Sequence, residues 1–338
     1  MKTVTTQAPA NIAFIKYWGF NEELVLPFNE SISMNLSNCT TTTTVKPLTT
    51  GHEDIVEIED MNGVVSLLEN NSIKGKKVYE TIKRIRAEAN ATEFALIRSK
   101  NSFPSDAGIA SSASGFAALT TALLLAYGLD AKVTDKKELS REVRRSGSAS
   151  AARSVYDGFV ELKKGTTHEE AYAVQLADEK AWELVDIVAV VDTNPKKVGS
   201  SEGHVRAEKN PYYQTRLQEM QDRIEKTRLA IAHKQFDHLG PCIEQDTLSM
   251  HAVIMTSQPP ILYWESGTIA VMKAIMEWRH REALPAYFSI DAGPNVHVIC
   301  EKENAAEVEK RLAALPDVKF TIFNEPAVGV NQVSEHLF

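Results

Sequence analysis

Three cysteines in 338 residues leave little room for covalent or metal stapling. Cys39, Cys242 and Cys300 are odd in number, far apart and outside any CxxC or Cys/His spacing, so reduced, mostly buried thiols are expected rather than a disulfide framework or zinc site. Long apolar runs are missing as well. None approaches the roughly 18 residues a membrane span needs, and the start MKTVTTQAPANIAF has no charged stretch leading into an apolar core; the expected location is the cytoplasm. A basic excess is also lacking. With a net charge of -8, neither nucleic acid nor a membrane surface is an expected partner, although a local basic pocket for an acidic small molecule is compatible with that balance. No Walker loop, GxGxxG, HExxH, nucleophile elbow or tandem repeat occurs, which excludes the common nucleotide-binding motifs.

What is present is an ordinary globular composition, 43% hydrophobic, long enough for two domains. The stretch from Phe103 to Asp130 stands out. Its small-residue loop runs directly into Ala117 to Leu129, an apolar, Ala-rich segment of high helix propensity. A helix N-terminus has unpartnered N–H groups and a positive dipole end, so Gly108, Ala110, Ser111, Ser112, Ala113, Ser114 and Gly115 are sized to let phosphate oxygens approach the backbone. An ordinary Ser-capped helix is the alternative reading.

Along the chain, Val4 to Ile15 is β-like and leads into Lys16-Tyr-Trp-Gly19, and two further strands follow at Ser31 to Leu36 and Thr40 to Val45. Lys16, beside two aromatics, is either a snorkelling surface lysine or an ammonium held for an anion. A hairpin at Ile55 to Ile58 and Val64 to Leu68, a helix over Lys77 to Glu88, and a strand at Phe94 to Ser99 come next. A helix over Lys137 to Arg145 stops at a second small-residue stretch, Ser146 to Ser154, ahead of a strand at Val155 to Glu161. That stretch carries Arg153, which can present a bidentate fork to a carboxylate or phosphate, or form a structural salt bridge. Composition shifts near Val185, so domains are expected at 1–184 and 185–338. The second opens with a strand at Val185 to Val191 and a polar loop from Asn194 to His204. Helices over Tyr213 to His233 and Thr268 to Arg281 follow, then strands on either side of Asp291-Ala-Gly-Pro-Asn295. Asp291 is a turn former or a charge aimed into a cleft.

The stretches Asn11 to Gly19 (NIAFIKYWG), Pro104 to Gly115 (with AGIASSASG), Ser148 to Gly158, Lys196 to Gly203 and Asp291 to Val296 (DAGPNV), in that order, resemble the GHMP kinase superfamily and, within it, the mevalonate diphosphate decarboxylase branch. The resemblance implies a two-domain α+β fold with the active site in the interdomain cleft. It implies ATP and Mg²⁺, with ATP phosphates near Gly108 to Ser114 and Ser200, and gives no ligands for the metal. ATP would phosphorylate the tertiary 3-hydroxyl of a mevalonate phosphate ester; loss of that phosphate and of CO₂ would leave an alkene. Asp291 would sit by the hydroxyl as base or as partner of the developing cation, Lys16 near the leaving phosphate, and Arg153 on the carboxylate. Tyr17, Ser148 and Ser150 would hold the rest of the substrate. A homodimer is a family expectation.

Two departures bear on the substrate. Phe20 stands where the family's KYWGK has its second lysine, and Ala149 where the arginine loop has a glycine. A diphosphate needs more donors than a monophosphate, so the expected substrate is mevalonate 5-phosphate and the product isopentenyl phosphate. The alternatives are the diphosphate substrate, with Lys76 or Lys197 in place of the missing lysine, and a kinase that does not decarboxylate. A nucleotide-dependent sensor or scaffold would require damage to the serine loop or to the Lys16–Arg153–Asp291 set, and none is visible. His204 either contacts the substrate or is an exposed loop residue, and the loop from Asn194 to His204 is a candidate lid over ATP.

Overall fold

The structure is a computed structural model that describes residues 1–104, 111–194, 198–207 and 209–338, apart from the side chain of Ser201. Gly108, Ala110, Lys196 and Lys197 lie outside the described residues. The first half comprises β1 (Val4–Ile15), β2 (Phe20–Asn21), β3 (Leu26–Pro27), β4 (Ser31–Pro47), β5 (Ile55–Glu59), β6 (Val65–Leu67), α1 (Ile73–Glu88), β7 (Ala95–Asn101), α2 (Ser111–Ala126), α3 (Asp130–Thr134), α4 (Lys136–Arg145), a 3-10 turn at Ala149–Val155, β8 (Phe159–Leu162) and β9 (Ala173–Ala177). The second comprises β10 (Leu184–Val190), α5 (Ser200–Ala207), α6 (Tyr213–His233), α7 (Phe236–Met255), α8 (Ser266–Glu282), β11 (Ala286–Ser289), β12 (Val296–Glu301), α9 (Lys302–Ala313), β13 (Phe320–Asn324) and β14 (Asn331–Val333).

An eight-stranded sheet runs β14-β1-β4-β7-β5-β6, with β8 joined to β4 and β9 to β8. The Thr-rich run Thr40 to Thr44 pairs with β1 on one side and β7 on the other, as β-branched residues favour. β1 pairs antiparallel with β4 but breaks register between Pro9 and Asn11 and again between Ala13 and Ile15. Such irregularities re-aim side chains, and here they bracket Asn11 and Ala13. α2 is apolar on all sides and is buried from Ala113 to Ala126 except at Gly115, packing on β1 and β4. The second sheet is ordered β11-β12-β10-β13. One face of it packs on Val271, Ile275, Val308 and Leu312 of α8 and α9. The other contributes Leu184, Val188 and Val190 to a core shared with Ile12 and Phe14 of β1, Met34 of β4, and Ile224 and Leu239 of α6 and α7. Because the halves share that core, the end of β1 is held against the second sheet.

Several local expectations change. Ser31 to Leu36 and Thr40 to Val45 are one strand, β4. The strand expected at Val155 to Glu161 begins only at Phe159; Ala149–Val155 is a 3-10 turn, and the chain swings at Gly158 (φ 65°), where a Cβ would lie 2.3 Å from the Asp178 carbonyl carbon. Residues 200–204 of the expected polar loop are helical, the start of α5. α7 is not among the expected elements, and a Gly240-Pro241 pair, ordinarily a turn signal, lies inside it. Pro241 instead lies near the helix start, and Gly240 lets the backbone approach the Tyr287 ring, 2.1 Å from where a Cβ would be. Cys39, Cys242 and Cys300 are free, the first and last buried, as expected. Among the described residues no helix is long and apolar enough to cross a membrane.

Candidate active site

Lys16 follows the last residue of β1, and its side chain is 3% exposed. Its Nζ donates to Asp291 Oδ1 at 2.6 Å, Ser289 Oγ at 2.8 Å and the Ala13 carbonyl at 2.8 Å. The surface-lysine reading is thereby excluded. Asp291 comes from the turn after β11, and neighbouring groups tie that turn down. Asn295 Oδ1 accepts from Val191 and Asp192 N–H, and Thr268 Oγ1 donates to the Pro294 carbonyl. Burial alone would push the Asp291 carboxyl up, but Lys16 beside it, with lesser help from His297 and Arg153, holds it below the usual carboxylate range.

Arg153, on the 3-10 turn, is also 3% exposed. Its Nε donates to Ser33 Oγ (2.9 Å) and Asn11 Oδ1 (3.2 Å), NH1 to Ser31 Oγ (2.5 Å) and NH2 to Asn11 Oδ1 (3.0 Å). These acceptors are neutral and fewer than the guanidinium can serve. Burial lowers its pKa, and no carboxylate forms a salt bridge with it among the described residues. Asn11 and the serines of β4 were not singled out from the sequence, although Asn11 lies inside the NIAFIKYWG stretch. Asn11 also donates to Ser154 Oγ and the Ser150 carbonyl, which locks the turn to β1.

Lys16, Arg153 and Asp291 line one cavity of about 510 Å³, within the range ligand sites occupy, together with Tyr17, Ser148, Ala149 and Ser150. Burial raises the Tyr17 pKa, while Arg153, Ser150 and Ser148 pull it the other way, so the phenol stays protonated at neutral pH. Ser148 and Ser150 hydroxyls lie 2.8 Å apart. Phe20 and His204 border the same cavity. His204 is 8% exposed, which rules out the exposed-loop reading. It stacks on Tyr17 (4.9 Å, 14°) and meets Phe20 edge-on (5.2 Å, 82°), and its Nδ1 accepts from Gly19 N–H at 2.8 Å, so the ring proton sits on Nε2. Gly19 (φ 85°) is obligatory there, since a Cβ would lie 2.3 Å from the Tyr213 hydroxyl.

Ser111, Ser112 and Ser200 line the cavity; Gly115 does as well. Ala113 and Ser114 do not. Ala113 is wholly buried and Ser114 Oγ accepts from Thr41 Oγ1 at 2.6 Å, so both side chains pack against the sheet, and the expected approach of phosphate at these positions concerns their backbone. The reason is helical phase, because neighbours on a helix point about 100° apart. Beyond the serines lies an apolar lobe with Val56, Leu68, Ile73, Phe116 and Leu119, which the sequence reading missed. Lys74 and Lys77 border it. Lys77, its pKa lowered by burial, donates to the Gly147 carbonyl at 3.2 Å, whereas Lys76 does not line the cavity. Among the described residues the cavity groups at Ser111 and Ser112 are hydroxyls and Glu202 adds a carboxylate beside Ser200, a set that suits a Mg²⁺ that keeps its waters and rides on phosphates.

Comparison with known proteins gives the family. Residues 8–173 match the family model described as the diphosphomevalonate decarboxylase-like N-terminal domain, and residues 186–327 the mevalonate 5-diphosphate decarboxylase C-terminal domain. The diphosphomevalonate decarboxylase of Ganoderma lucidum is 32% identical, over 90% of this chain and 80% of that protein. The phosphomevalonate decarboxylase of Haloferax volcanii is 31% identical over 91% of each. The mevalonate diphosphate decarboxylase structure from Staphylococcus aureus superposes with a TM-score of 0.89, at 34% identity over 98% of each chain. A further structure, described as MDDEF in complex with MVAPP, AMPPCP and magnesium, gives 0.87 at 33% identity over 99% of each. The chain is an enzyme, a carboxy-lyase with the two-domain α+β, GHMP kinase-like fold, and it belongs to the mevalonate diphosphate decarboxylase family.

Proposed function

We propose that this ATP-dependent decarboxylase of a mevalonate phosphate takes mevalonate 5-phosphate and forms isopentenyl phosphate, ADP, phosphate and CO₂. The observation that carries the monophosphate reading is an aromatic wall of the cavity: Phe20 packs edge-on against His204, which stacks on Tyr17. A second phosphate would bring further charge against rings, where a cation would be needed.

Asp291 Oδ1 is held by Lys16, so Oδ2 accepts the hydrogen of the substrate 3-hydroxyl and aims that oxygen at the γ-phosphorus of ATP. A carboxyl held well ionised is a weak base, so its main contribution is charge and orientation. The hydroxyl oxygen bonds to phosphorus as the bond to ADP breaks, and its proton passes through the hydrogen bond to Asp291 Oδ2 and on to a phosphate oxygen as the negative charge transfers. The new phosphate then departs with the C–O electrons, and the carbon–carboxylate bond breaks to release CO₂, its electron pair becoming the double bond. Asp291 stabilises the positive character at the tertiary carbon, and Lys16 the negative charge on the leaving phosphate. Arg153 keeps donor capacity for the substrate carboxylate until it is lost as CO₂. Ser111, Ser112 and Ser200 would bind the ATP phosphates, with the base in the apolar lobe. A Mg²⁺ held by those phosphates and the serine hydroxyls would neutralise their charge.

The diphosphate is the second reading, favoured by Lys74 and Lys77 on the cavity and by the diphosphomevalonate decarboxylases among the relatives. Initial rates of ADP and CO₂ formation with each ester at matched concentration decide between them. Faster turnover of the monophosphate is expected; faster turnover of the diphosphate overturns the proposal, and ADP without CO₂ from either would make the enzyme a kinase.

A further inference from the structure

α7 contributes no group to the chemistry above, yet it touches both sides of the Lys16–Asp291 pair. Lys16 has left the strand ladder at the end of β1, so its own N–H and C=O need partners elsewhere. The N–H donates to Asp246 Oδ2 of α7 at 2.8 Å. The carbonyl accepts from Arg216 of α6 at 2.9 Å and from Asn29 at 3.1 Å. Asp246 and Arg216 are themselves a buried pair, 0% and 1% exposed at their side chains and 3.0 Å apart, with Arg223 NH1 3.6 Å from the same carboxylate. On the other side, His251 Nε2 lies 3.1 Å from the Ile290 carbonyl, the peptide immediately before Asp291. A carbonyl only accepts, so Nε2 carries the hydrogen. The ring is wholly buried and packs on Trp264 at 4.8 Å, and burial pushes its pKa down to about 4, so it remains a neutral donor.

We infer that α7 sets the Lys16–Asp291 contact: Asp246 fixes the Lys16 backbone, His251 fixes the peptide that carries Asp291, and both are positioning residues for the reaction. Apolar packing would stabilise this helix as well as a buried ion pair does, so stability alone does not account for the carboxylate. Its directed bond to the peptide of the reacting lysine supplies position. Lys16 is then held at both ends, Nζ by three oxygens and the backbone by the α6–α7 pair, and Asp291 inherits its place from His251. The inference rests on the reading that Lys16 and Asp291 serve the reaction.

The test uses the full chain and whichever mevalonate phosphate it turns over. His251→Phe removes the donor, while His251→Gln keeps an amide N–H within reach of the Ile290 carbonyl. His251→Phe should lower kcat about 30-fold with both KM values within about twofold, since misplacement of reacting groups by an ångström costs up to about a hundredfold. His251→Gln should recover most of that loss. Asp246→Asn, which keeps an acceptor oxygen but frees Arg216 and Arg223, should lower kcat about tenfold, again with little change in KM. Wild-type kcat in His251→Phe, or equal impairment in the Phe and Gln variants, overturns the inference. Should His251→Phe fail to fold, Asp246→Asn decides: an unchanged kcat refutes the role of α7. Full activity in Asp291→Asn would instead overturn the site reading itself.

Discussion

Arg153 and Arg216 are both almost wholly buried, 3% and 2% exposed, and they differ in what faces them. Arg216 lies 3.0 Å from Asp246 in a closed ion pair. Among the described residues, Arg153 donates only to the neutral oxygens of Asn11, Ser31 and Ser33. A buried cation with a carboxylate is complete; one without keeps its desolvation cost until an anion arrives. We therefore propose that the arginine paired with a carboxylate belongs to the scaffold and the one without to the ligand, a contrast that separates the charge-paired α6–α7 core from the cavity end of β1.

Exchanging the two arginines in turn should break that contrast most visibly. Arg153→Met should cost about a thousandfold in kcat/KM, the scale of losing a charged donor at a reacting group, with little change in Tm because an unpaired charge leaves with it. Steady-state kinetics and a thermal melt check both parts. Arg216→Met should do the reverse: stranding Asp246 costs about 3–5 kcal/mol of stability, read by urea unfolding, with a smaller loss of turnover per folded molecule. Equal effects of the two changes on activity would remove the distinction.

Substrate choice is the next sharpest probe. Phe20→Lys should shift the ratio of kcat/KM for diphosphate over monophosphate upward by about ten- to a hundredfold, the worth of one charge-assisted hydrogen bond. An unchanged ratio would detach Phe20 from specificity. The pH profile follows from Asp291. Its depressed pKa keeps it ionised through the ordinary carboxylate range, so the acid limb of kcat/KM lies below that range. In Lys16→Gln burial is no longer opposed by the neighbouring ammonium, the carboxyl pKa rises, and the acid limb of the residual activity should move to higher pH. The smallest effect is expected at Ser114→Ala, about 1 kcal/mol from the lost bond with Thr41 and no change in the KM for ATP, whereas Ser112→Ala should raise that KM.

Much of the site was legible before any coordinates, for local reasons. The strand into Lys16-Tyr-Trp-Gly19 forms at the expected place, and Gly19 has the positive φ that only glycine takes easily. α6 also spans Tyr213–His233 as its apolar period predicts. Misreadings arose where local signals conflicted with distant ones. α7 carries a Gly240-Pro241 pair, a local turn signal, because the close approach of Tyr287 that requires a glycine comes from another element. Phe320 to Asn324 and Asn331 to Val333 are short strands whose identity depends on partners far away in sequence, β10 and β1.

By itself, then, the sequence determined which chemistry-bearing residues the chain has and the turns or helix ends that carry them, because backbone propensity and glycine or proline sterics act over a few residues. Only the tertiary structure decided which of them meet. The contact between Lys16 and Asp291 closes 275 residues of chain, His204 is buried by Tyr17 and Phe20, and Ser114 turns to the sheet while Ser112 turns to the cavity. Side-chain direction and burial follow from how whole elements pack, and that packing is settled by the shared core between the two sheets.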